Sequence, residues 1–405
     1  MALAPPVSTS WKRTLVLMVC VQATMSAQIY YSAPFFPQFL EQNGVFPITA
    51  VEFWSGAILA ASALSSAVFS PLWGGVADRV GRKKMVIRSA IAASVAMGLT
   101  GICTTPWEML ALRVISGAFA GFSSSAMALV ATQVPEERLG YSLGWLSTGQ
   151  IAGSLVGPLL GGLLADHIHN YRTVFLLSSG ATLLVASICV AFVHEERLHP
   201  FVERGTSTLL ERLRGIAEHR DFAPMFLVVM IAQICSIGLS PILPLFVRDL
   251  IGDVPLQTTI SGAAIAVTGI AGLLSAPFLG RRSDKIGYRR VLLISLTGAA
   301  AFTLPQAFVF NIWGFIALRF GVGVFLGGIL PSANAIIGRI AKPETRGQVY
   351  GFTSTAQFLG RFIGPLLGSA IAAYFGIPAA FAFIGLLMFA NVIWVWTRVG
   401  PAADA

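Results

Sequence analysis

Residues 147–162 read STGQIAGSLVGPLLGG, and residues 354–369 read STAQFLGRFIGPLLGS. The two stretches lie 207 residues apart, which is about half of the 405-residue chain. Other pairs keep this spacing to within one residue: Pro34 and Pro37 with Pro241 and Pro244, Gly74, Asp78 and Gly81 with Gly280, Asp284 and Gly287, and Arg113, Gly117 and Gly121 with Arg319, Gly323 and Gly327. A duplicated apolar chain places its binding site where the two copies face each other. The repeat therefore indicates both the fold and the position of the site.

The composition is that of a membrane protein. The chain is 55 % hydrophobic and 11 % charged, and its mean hydropathy is +0.76. Soluble globular domains carry about 25 % charged residues. Apolar runs recur along the whole chain, each long enough at about 20 residues to cross a hydrocarbon core of about 30 Å. The sequence therefore predicts an all-α polytopic membrane protein. The 41 glycines and 21 prolines fit this class, because transmembrane helices tolerate both.

We predict twelve transmembrane helices. Their expected bounds are 14–37, 52–76, 85–104, 107–131, 142–165, 171–193, 223–247, 258–280, 290–310, 312–338, 348–373 and 377–398. Most of the 27 lysines and arginines then fall at the two termini or in loops that follow even-numbered spans. The positive-inside rule places both termini in the cytoplasm. Topology thus explains the net charge of +9, which gives no reason to expect a nucleic-acid partner.

The twelve spans divide into two pseudo-symmetric six-helix halves, residues 1–193 and 223–405, joined by a cytoplasmic linker over 194–222. In the linker, Thr208 and Glu211 have the spacing of a capping box, and apolar residues follow at helical spacing. We expect an amphipathic helix on the inner membrane surface, and its simplest role is to connect the halves. The four cysteines fall in apolar segments without metal-ligand spacing, so we predict no metal site and no cofactor.

The loop after span 2 carries an acidic residue between two glycines at fixed distances. Asp78 follows Gly74 by four residues and precedes Gly81 by three, and the second half repeats the pattern at Asp284 and Gly287. A basic inner loop that sets the topology accounts for the neighbouring arginines and lysines, but not for the fixed acid. The pattern resembles motif A of the major facilitator superfamily, a family of membrane transporters.

Two further motifs fall in order at the expected spans. Span 4 carries Arg113 followed by Gly117 and Gly121, which is similar to motif B of that superfamily. Span 5 carries a set that is similar to motif C: Gly153, Gly157, Pro158, Gly161 and Gly162. The resemblance covers the whole chain. It is closest to the twelve-span drug:proton antiporters, and among these to bacterial multidrug efflux carriers.

The resemblance implies a role for each motif. Motif A gates the conformational change through Gly74, Asp78, Arg79, Gly81, Arg82, Asp284 and Gly287. Asp78 is expected to face the start of span 11 near residues 347–350, where a helix dipole stabilises a carboxylate by about 0.3–1 kcal/mol. Relatives often place an acid at the inner end of span 4 as a partner for the motif A arginine, and this chain lacks it, so the partner of Arg82 is open. Arg113 is implicated in proton coupling, and its repeat mate Arg319 is expected either to share that role or to reach the outer headgroups.

Motif C marks exporters in the superfamily, and its residues also have a physical reading. Gly153, Gly157 and Gly161 recur at every fourth residue and form a smooth helix face. Such a face lets a neighbouring helix approach closely. We expect close packing of spans 5 and 8, from opposite halves, to seal the outer side of the protein. The alternative is ordinary packing of small residues without a gating role.

An arginine deep inside a span is costly and indicates function. Arg361 lies about 13 residues into span 11, near the membrane midplane. Gln357 lies one turn away on the same face, and Gln150 is its repeat mate in span 5. We expect these three side chains to line the cavity between the halves, where they would suit anionic or carbonyl-rich substrates. The alternative is that Arg361 braces span 11 against backbone carbonyls.

Other residues are candidates for the same cavity or for proton transfer. The further cavity candidates are Tyr30, Tyr31, Phe35, Gln233 and Asn334. The two tyrosines fit an aromatic belt at the membrane interface equally well. All 18 acids lie at span ends or in loops, so no carboxylate is expected at the midplane. The candidates for proton coupling are therefore Arg113, Asp78 and Glu52, or a proton carried by the substrate.

Together these features predict a proton-driven efflux transporter that exports amphipathic small molecules or drugs across the bacterial inner membrane by alternating access. The alternatives are a dedicated exporter of one natural product, such as a siderophore, or of a lipid. Motif C argues against an uptake symporter. An enzyme is not expected, because the sequence contains no catalytic constellation and no nucleotide-binding loop. The expected partners are the substrate, protons and the lipid bilayer, and we expect a monomer.

Overall fold

The computed structural model describes residues 10–193, 223–340 and 346–399, which we divide into an N-terminal half (10–193) and a C-terminal half (223–399). The N-terminal half contains α1 (Ser10–Tyr31), α2 (Phe36–Gln42), α3 (Ile48–Val80), α4 (Arg82–Thr100), α5 (Pro106–Ala118), α6 (Phe122–Gln133), α7 (Leu139–Ile168) and α8 (Tyr171–Phe192). The C-terminal half contains α9 (Ala223–Ile237), α10 (Leu243–Ile251), α11 (Gln257–Ile286), α12 (Tyr288–Thr303), α13 (Ile312–Ile340), α14 (Arg346–Phe375) and α15 (Ile377–Arg398). Short 3-10 turns at Glu136–Arg138 and Leu304–Phe308 complete the helical chain.

These helices give the twelve expected passes. Ten helical segments of the described chain are long and apolar enough to cross a membrane. The third pass, α4, falls outside this set and carries Arg82, Lys83 and Lys84 in its first turn. The seventh begins as the short apolar helix Pro224–Ile237 and continues in α10. The prediction of an all-α membrane protein of about twelve helices is confirmed.

The first and seventh passes are both broken near their outer ends. The chain leaves the helical conformation after Tyr31 and again after Ile237, and it resumes at Phe36 and Leu243. Proline has no backbone N–H and clashes with the preceding turn, so it interrupts a helix except at its start. Pro34, Pro37, Pro241 and Pro244 are the prolines at these two breaks. The repeated sequence therefore produces the same break in both halves.

The fourth pass differs from its predicted form. It was expected to be one helix over 107–131, but it consists of α5 and α6, separated at Phe119–Gly121. Gly121 has φ 113°, a left-handed conformation that residues with a side chain rarely adopt and that no α-helix contains. The equivalent Gly327 lies inside the unbroken α13, so this break belongs to the N-terminal half.

The helices pack in the same way within each half and are apolar on the outside. Within the halves α1 packs along α7 and α9 along α14, whereas α7 contacts α11 and α3 contacts α14 between the halves. Large apolar side chains on the outer surface are exposed, among them Leu184, Leu274, Phe278 and Trp313. Such a surface fits a lipid environment. The predicted linker helix over 194–222 lies outside the described residues.

Candidate functional site

The glycines of motif C use two faces of α7. Gly153, Gly157 and Gly161 lie against the backbone of α1 between Ala23 and Tyr31, where a Cβ on any of them would collide with a carbonyl oxygen. The smooth face at every fourth residue therefore packs within the N-terminal half. This corrects the expectation that the same face meets span 8. The sequence shows that a neighbour can approach closely, but not which neighbour does so.

The second face of α7 joins the two halves. A Cβ on Gly162 would collide with the backbone of Thr258 at the start of α11, and a Cβ on Gly262 would collide with the carbonyl oxygen of Pro158. The expected contact between spans 5 and 8 is thus present, but Pro158 and Gly162 make it. It extends over the end of α7 and the start of α11, which lie on the predicted outer side of the membrane.

Towards the predicted cytoplasmic side the same two helices separate. Gly140 lies 18 residues before Pro158, and Gly280 lies 18 residues after Gly262. This spacing is about five helical turns. Gly140 therefore lies on the same face of α7 as Pro158, and Gly280 lies on the same face of α11 as Gly262. A Cβ on Gly140 or Gly280 would meet nothing within 4 Å. The contact between α7 and α11 is therefore closed on the predicted outer side and open on the predicted cytoplasmic side.

The start of α11 is capped by a residue of the other half. Leu256, which precedes the helix, provides no side-chain cap. Instead, Oδ1 of Asp166 accepts hydrogen bonds from the N–H (3.2 Å) and hydroxyl (2.6 Å) of Thr258, and Oδ2 accepts them from the N–H (2.7 Å) and hydroxyl (2.6 Å) of Thr259. A carboxylate at this position satisfies unpaired N–H groups and interacts favourably with the helix dipole. Asp166 thus ties the outer end of α7 to α11.

An ion pair forms a second tie between the halves. Nη1 and Nη2 of Arg248 donate to Oε2 (2.6 Å) and Oε1 (2.9 Å) of Glu41, a bidentate geometry that strengthens the pair. Glu41 ends α2 and Arg248 lies in α10, and the two are 207 residues apart, the spacing of the internal repeat. They are therefore equivalent positions of the two halves, which meet on the pseudo-twofold axis. Because they lie on the predicted outer side, we call the contacts of Asp166 and Glu41 with the C-terminal half the outer seal.

The outer seal also gathers carboxylates from both halves. Arg248 is held by the Glu41 carboxylate, and Asp249 follows it directly in α10. Glu52, in the first turns of α3, is 5 % exposed and interacts electrostatically with Asp249 across the seal. Arg248 is thus the cation that separates acids of the two halves.

Arg361 lies just inside the closed part of the structure. Gly364 of α14 packs against α9 of the same half, whereas Pro365 packs against Gly56 of α3 in the other half. Arg361 is three residues before Gly364 and four before Pro365, so it lies on the strip of α14 between these two faces. That strip faces the space enclosed by α3, α9 and α14. The Arg361 side chain is exposed, and within the described part of the chain it makes no hydrogen bond or ion pair.

The other cavity candidates differ in their burial, and two of them lie next to Arg361. Gln357 is partly buried and Gln150 exposed, and Gln233 is buried against Gly360, next to Arg361. Tyr30 is 37 % exposed.

Phe35 and Tyr31 belong to the hydrophobic core instead of the cavity wall. Phe35 is fully buried and contacts the rings of Tyr171 (5.4 Å) and Phe175 (5.3 Å) of α8. Tyr31 is 6 % exposed and packs edge-on against Phe35. The break after Tyr31 turns the chain towards α8, which the sequence pattern did not reveal. Asn334 is partly buried in α13, and its Oδ1 has no hydrogen-bond partner among the described residues.

Residues 18–253 and 225–405 match the family described as "Major Facilitator Superfamily". The chain belongs to the Major Facilitator Superfamily. It is 36 % identical over 393 residues to the multidrug resistance protein MdtG of Salmonella dublin, covering 97 % of each chain. It is also 36 % identical over 396 residues to MdtG of Serratia proteamaculans, covering 98 % of this chain and 96 % of that one.

Two solved structures share the fold. A point mutant of the nucleoside transporter NupG aligns with a TM-score of 0.81 at 12 % identity and covers 96 % of this chain and 100 % of its own. A bacterial homolog of the human lysosomal transporter Spinster, inward-facing and occupied, aligns with a TM-score of 0.76 at 14 % identity and covers 96 % of each chain. At these identities the likeness concerns the fold of the superfamily alone.

Within this superfamily fold, motif A is described in part. The side chains of Gly74, Asp78 and Arg79 lie outside the described residues, as does the predicted contact of Asp78 with residues 347–350. The turn glycines Gly81 and Gly287 have φ 107° and 96°, and each directly precedes a helix, as the motif requires.

The two described polar side chains of motif A have partners in their own half. Arg82 donates from Nη1 to the carbonyl oxygen of Ala128 in α6 (2.7 Å). Asp284 accepts a hydrogen bond from the Tyr288 hydroxyl (2.7 Å).

The motif B arginine lies in a small pocket within the N-terminal half. Arg113 donates from Nη2 to the hydroxyl of Ser32 (3.2 Å), and its guanidinium lies 5.9 Å from the ring centre of Phe36. Its Nε is buried without a hydrogen-bond partner in the described chain. Gln28, Thr100 and Ser116 are among the other residues that line this pocket between α1, α4 and α5. The repeat mate Arg319 is buried, at 9 % exposure, so it does not extend into open headgroup space.

The two faces of α7 predict different outcomes for neighbouring substitutions. Gly161→Val forces a side chain into the backbone of α1 and is expected to reduce folded yield, because overpacking costs about 1–3 kcal/mol and backbone cannot yield easily. Gly162→Val meets the start of α11 in the other half, so each half can fold while outer closure is blocked. Fluorescence-detected size-exclusion profiles and transport measure the two effects. Equal loss of folded yield in both variants would contradict this assignment.

Proposed function

We propose that this protein is a secondary efflux transporter of the inner membrane that exports amphipathic small molecules by alternating access, driven by the proton gradient. The observation that carries the proposal is the pair of helices α7 and α11, which are closed at Pro158 and Gly162 outside and apart at Gly140 and Gly280 inside. One gate is shut while the other is open, as alternating access requires. The relatives that bear the name multidrug resistance protein support drugs as the cargo.

The proposed cavity opens to the cytoplasm below the outer seal. Arg361 and Gln357 of α14, Gln150 of α7, Gln233 of α9 and Tyr30 of α1 are its proposed lining. Amide groups and an aromatic ring suit amphipathic molecules, because they combine hydrogen bonding with apolar contact. Both chain termini are proposed to lie in the cytoplasm, in agreement with the distribution of basic loops. The protein is proposed to act as a monomer.

The proton is proposed to act at the outer seal or at motif A. Glu52 is buried there beside Asp249, and Asp78 is the acid of motif A. Arg113 lies desolvated in its own pocket. We propose that it responds to the change in charge when these acids gain or lose a proton. The double variant with Glu52→Gln and Asp78→Asn is expected to slow proton-driven efflux at least about tenfold. A tenfold change corresponds to a loss of about 1.4 kcal/mol of coupling free energy. Unchanged pH-driven efflux in the double variant would exclude both acids as carriers.

The function is tested in everted inner-membrane vesicles with an acid interior. A panel of lipophilic cations, neutral antibiotics and carboxylate compounds is added, and any transported compound is expected to collapse the pH gradient in vesicles with wild-type protein, because its entry is coupled to the exit of interior protons. Vesicles without the protein, and vesicles with Gly162→Val, serve as controls. No response from any compound class, with folded protein present, would contradict proton-driven drug efflux.

The breadth of the response separates the alternatives. A response to many scaffolds supports multidrug export. A response to a single natural product, such as a siderophore, or to a lipid alone would indicate a dedicated exporter. Accumulation in right-side-out vesicles with an acidic exterior would indicate an uptake symporter.

A further inference from the structure

Arg361 has the properties of a binding group and not of a structural one. It lies within the membrane-spanning part of α14, Thr353–Phe375, eight residues or about 12 Å from the nearer end of that span. An arginine side chain cannot reach the membrane surface from that depth. Buried structural arginines pair with acids or carbonyl groups. Arg361 is exposed, and in the described chain it has no such partner.

The acids of the outer seal are too distant to neutralise it. Gly56 of α3 contacts Pro365 of α14. Glu52 lies one turn outward from Gly56, and Arg361 lies one turn inward from Pro365. The two charges are therefore separated by about 12 Å along the helix axes. A charge at this distance in a water-filled cavity is largely screened, because the Debye length is about 8 Å at physiological ionic strength.

We propose that Arg361 binds an anionic group of the transported molecule, so that this carrier exports amphipathic anions. The proposal rests on the efflux function and names its substrate class: a carboxylate, phosphonate or sulfonate attached to an apolar body. A guanidinium presents paired N–H donors that match two oxygens of such a group. Gln357, one turn away on α14, adds amide donors beside it.

The position of Arg361 also explains how binding would be linked to transport. It lies between the face of α14 that packs on α9 and the face that meets α3 of the other half. An anion held there neutralises a charge at the inner limit of the seal and contacts both halves. A lipophilic cation would meet unfavourable charge at the same point, so Arg361 sets specificity by repulsion as well as by attraction.

The test uses two molecules of the same shape and different charge. Purified full-length protein in nanodiscs of zwitterionic lipid is equilibrated by dialysis with 1-naphthylacetate or with the neutral 1-naphthylacetamide, and empty nanodiscs are subtracted. The wild type is expected to bind the carboxylate at least about tenfold more tightly than the amide, because hydrogen bonds to charged groups are about this much stronger. Arg361→Gln is expected to abolish this preference and to retain binding of the amide.

Two further variants separate charge from folding. Arg361→Lys keeps the charge without the paired donors and is expected to retain part of the preference. Arg398→Gln removes one positive charge at the exposed end of α15 and is expected to retain all of it. Equal affinities of both compounds for the wild type, or the same preference in Arg361→Gln, would overturn the anion site while leaving efflux intact. Failure of efflux itself is recognised separately by the vesicle assay, which includes cations and neutral compounds.

Discussion

Replacing Asp166 by asparagine should move the protein from the outer-closed to the outer-open state. The carboxylate accepts four hydrogen bonds from Thr258 and Thr259 at the start of α11. Asparagine keeps one oxygen, but its amide nitrogen is a donor and cannot accept from the N–H and hydroxyl of Thr259. The negative charge at the helix N-terminus is lost as well.

The expected size of this effect follows from the bonds removed. Hydrogen bonds to charged groups contribute about 1.5–3 kcal/mol, so we expect the outer-closed state to lose about 2–4 kcal/mol. The ratio of outer-closed to outer-open protein should fall by a factor of about 30 or more. Because the bonds join the two halves, the stability of each half should change little.

Spin labels on both sides of the seal measure this shift. Labels at His167→Cys of α7 and Val254→Cys before α11, in a chain without Cys20, Cys103, Cys189 and Cys235, report the distance across the closed contact. Asp166→Asn should broaden the distribution towards longer distances. Glu108→Gln removes the same charge from an exposed acid that caps α5 within the N-terminal half, and it is the matched control. Identical distributions in wild type, control and variant would show that Asp166 does not hold the seal.

The repeat explains why so much of the fold could be predicted. The twelve passes and the breaks near Pro34 and Pro241 follow from hydrophobic length and from prolines that recur at the same spacing. The break within the fourth pass could not be predicted in this way. Gly121 has the same motif position as Gly327, and only tertiary packing decides which of the two leaves the helix.

The outer seal shows which contacts a sequence reveals. Glu41 and Arg248 carried a partial signal, because they are opposite charges at equivalent positions of a duplicated chain, and such charges pair only where those positions lie on the symmetry axis. Asp166 carried none, since its partners are two backbone N–H groups and two common hydroxyls, and its repeat mate is the uncharged Ala373. Phe35 lies in the hydrophobic core and not in the predicted cavity for a related reason. Its direction depends on the bend after Tyr31, and not on helical spacing.

Reversal of charge at Arg248 should have the second large effect. Arg248→Glu places a carboxylate against Glu41 and beside Asp249, close to the buried Glu52, and removes the cation that separates these acids. Like charges at this distance disfavour closure, so the outer-open state should predominate. Transport should fall at least about tenfold, because a carrier that cannot close its outer side returns slowly to the state that is open to the inner side.

A charge exchange tests whether the effect comes from this pair. Glu41→Arg alone opposes two cations and should also impair closure, whereas Glu41→Arg with Arg248→Glu restores an ion pair at the same positions. The pair is about one-fifth exposed, at 22 % and 21 %, and bidentate, so we expect a coupling energy of about 1–3 kcal/mol, between exposed and buried pairs. Arg172→Glu reverses an exposed outer arginine that donates within its own half to Asn43, and it serves as the control.

The exchange is informative because Glu41 and Arg248 occupy equivalent positions of the two halves. If their contact matters only as a tie between the halves, exchanging the charges across the pseudo-twofold axis leaves that tie intact, and both the label distances and transport should recover. Recovery of the distances without transport would mean that one of the two charges also acts on the substrate or the proton. Failure of both to recover, with folded protein, would show that the seal depends on the acids that surround Arg248 more than on Glu41 itself.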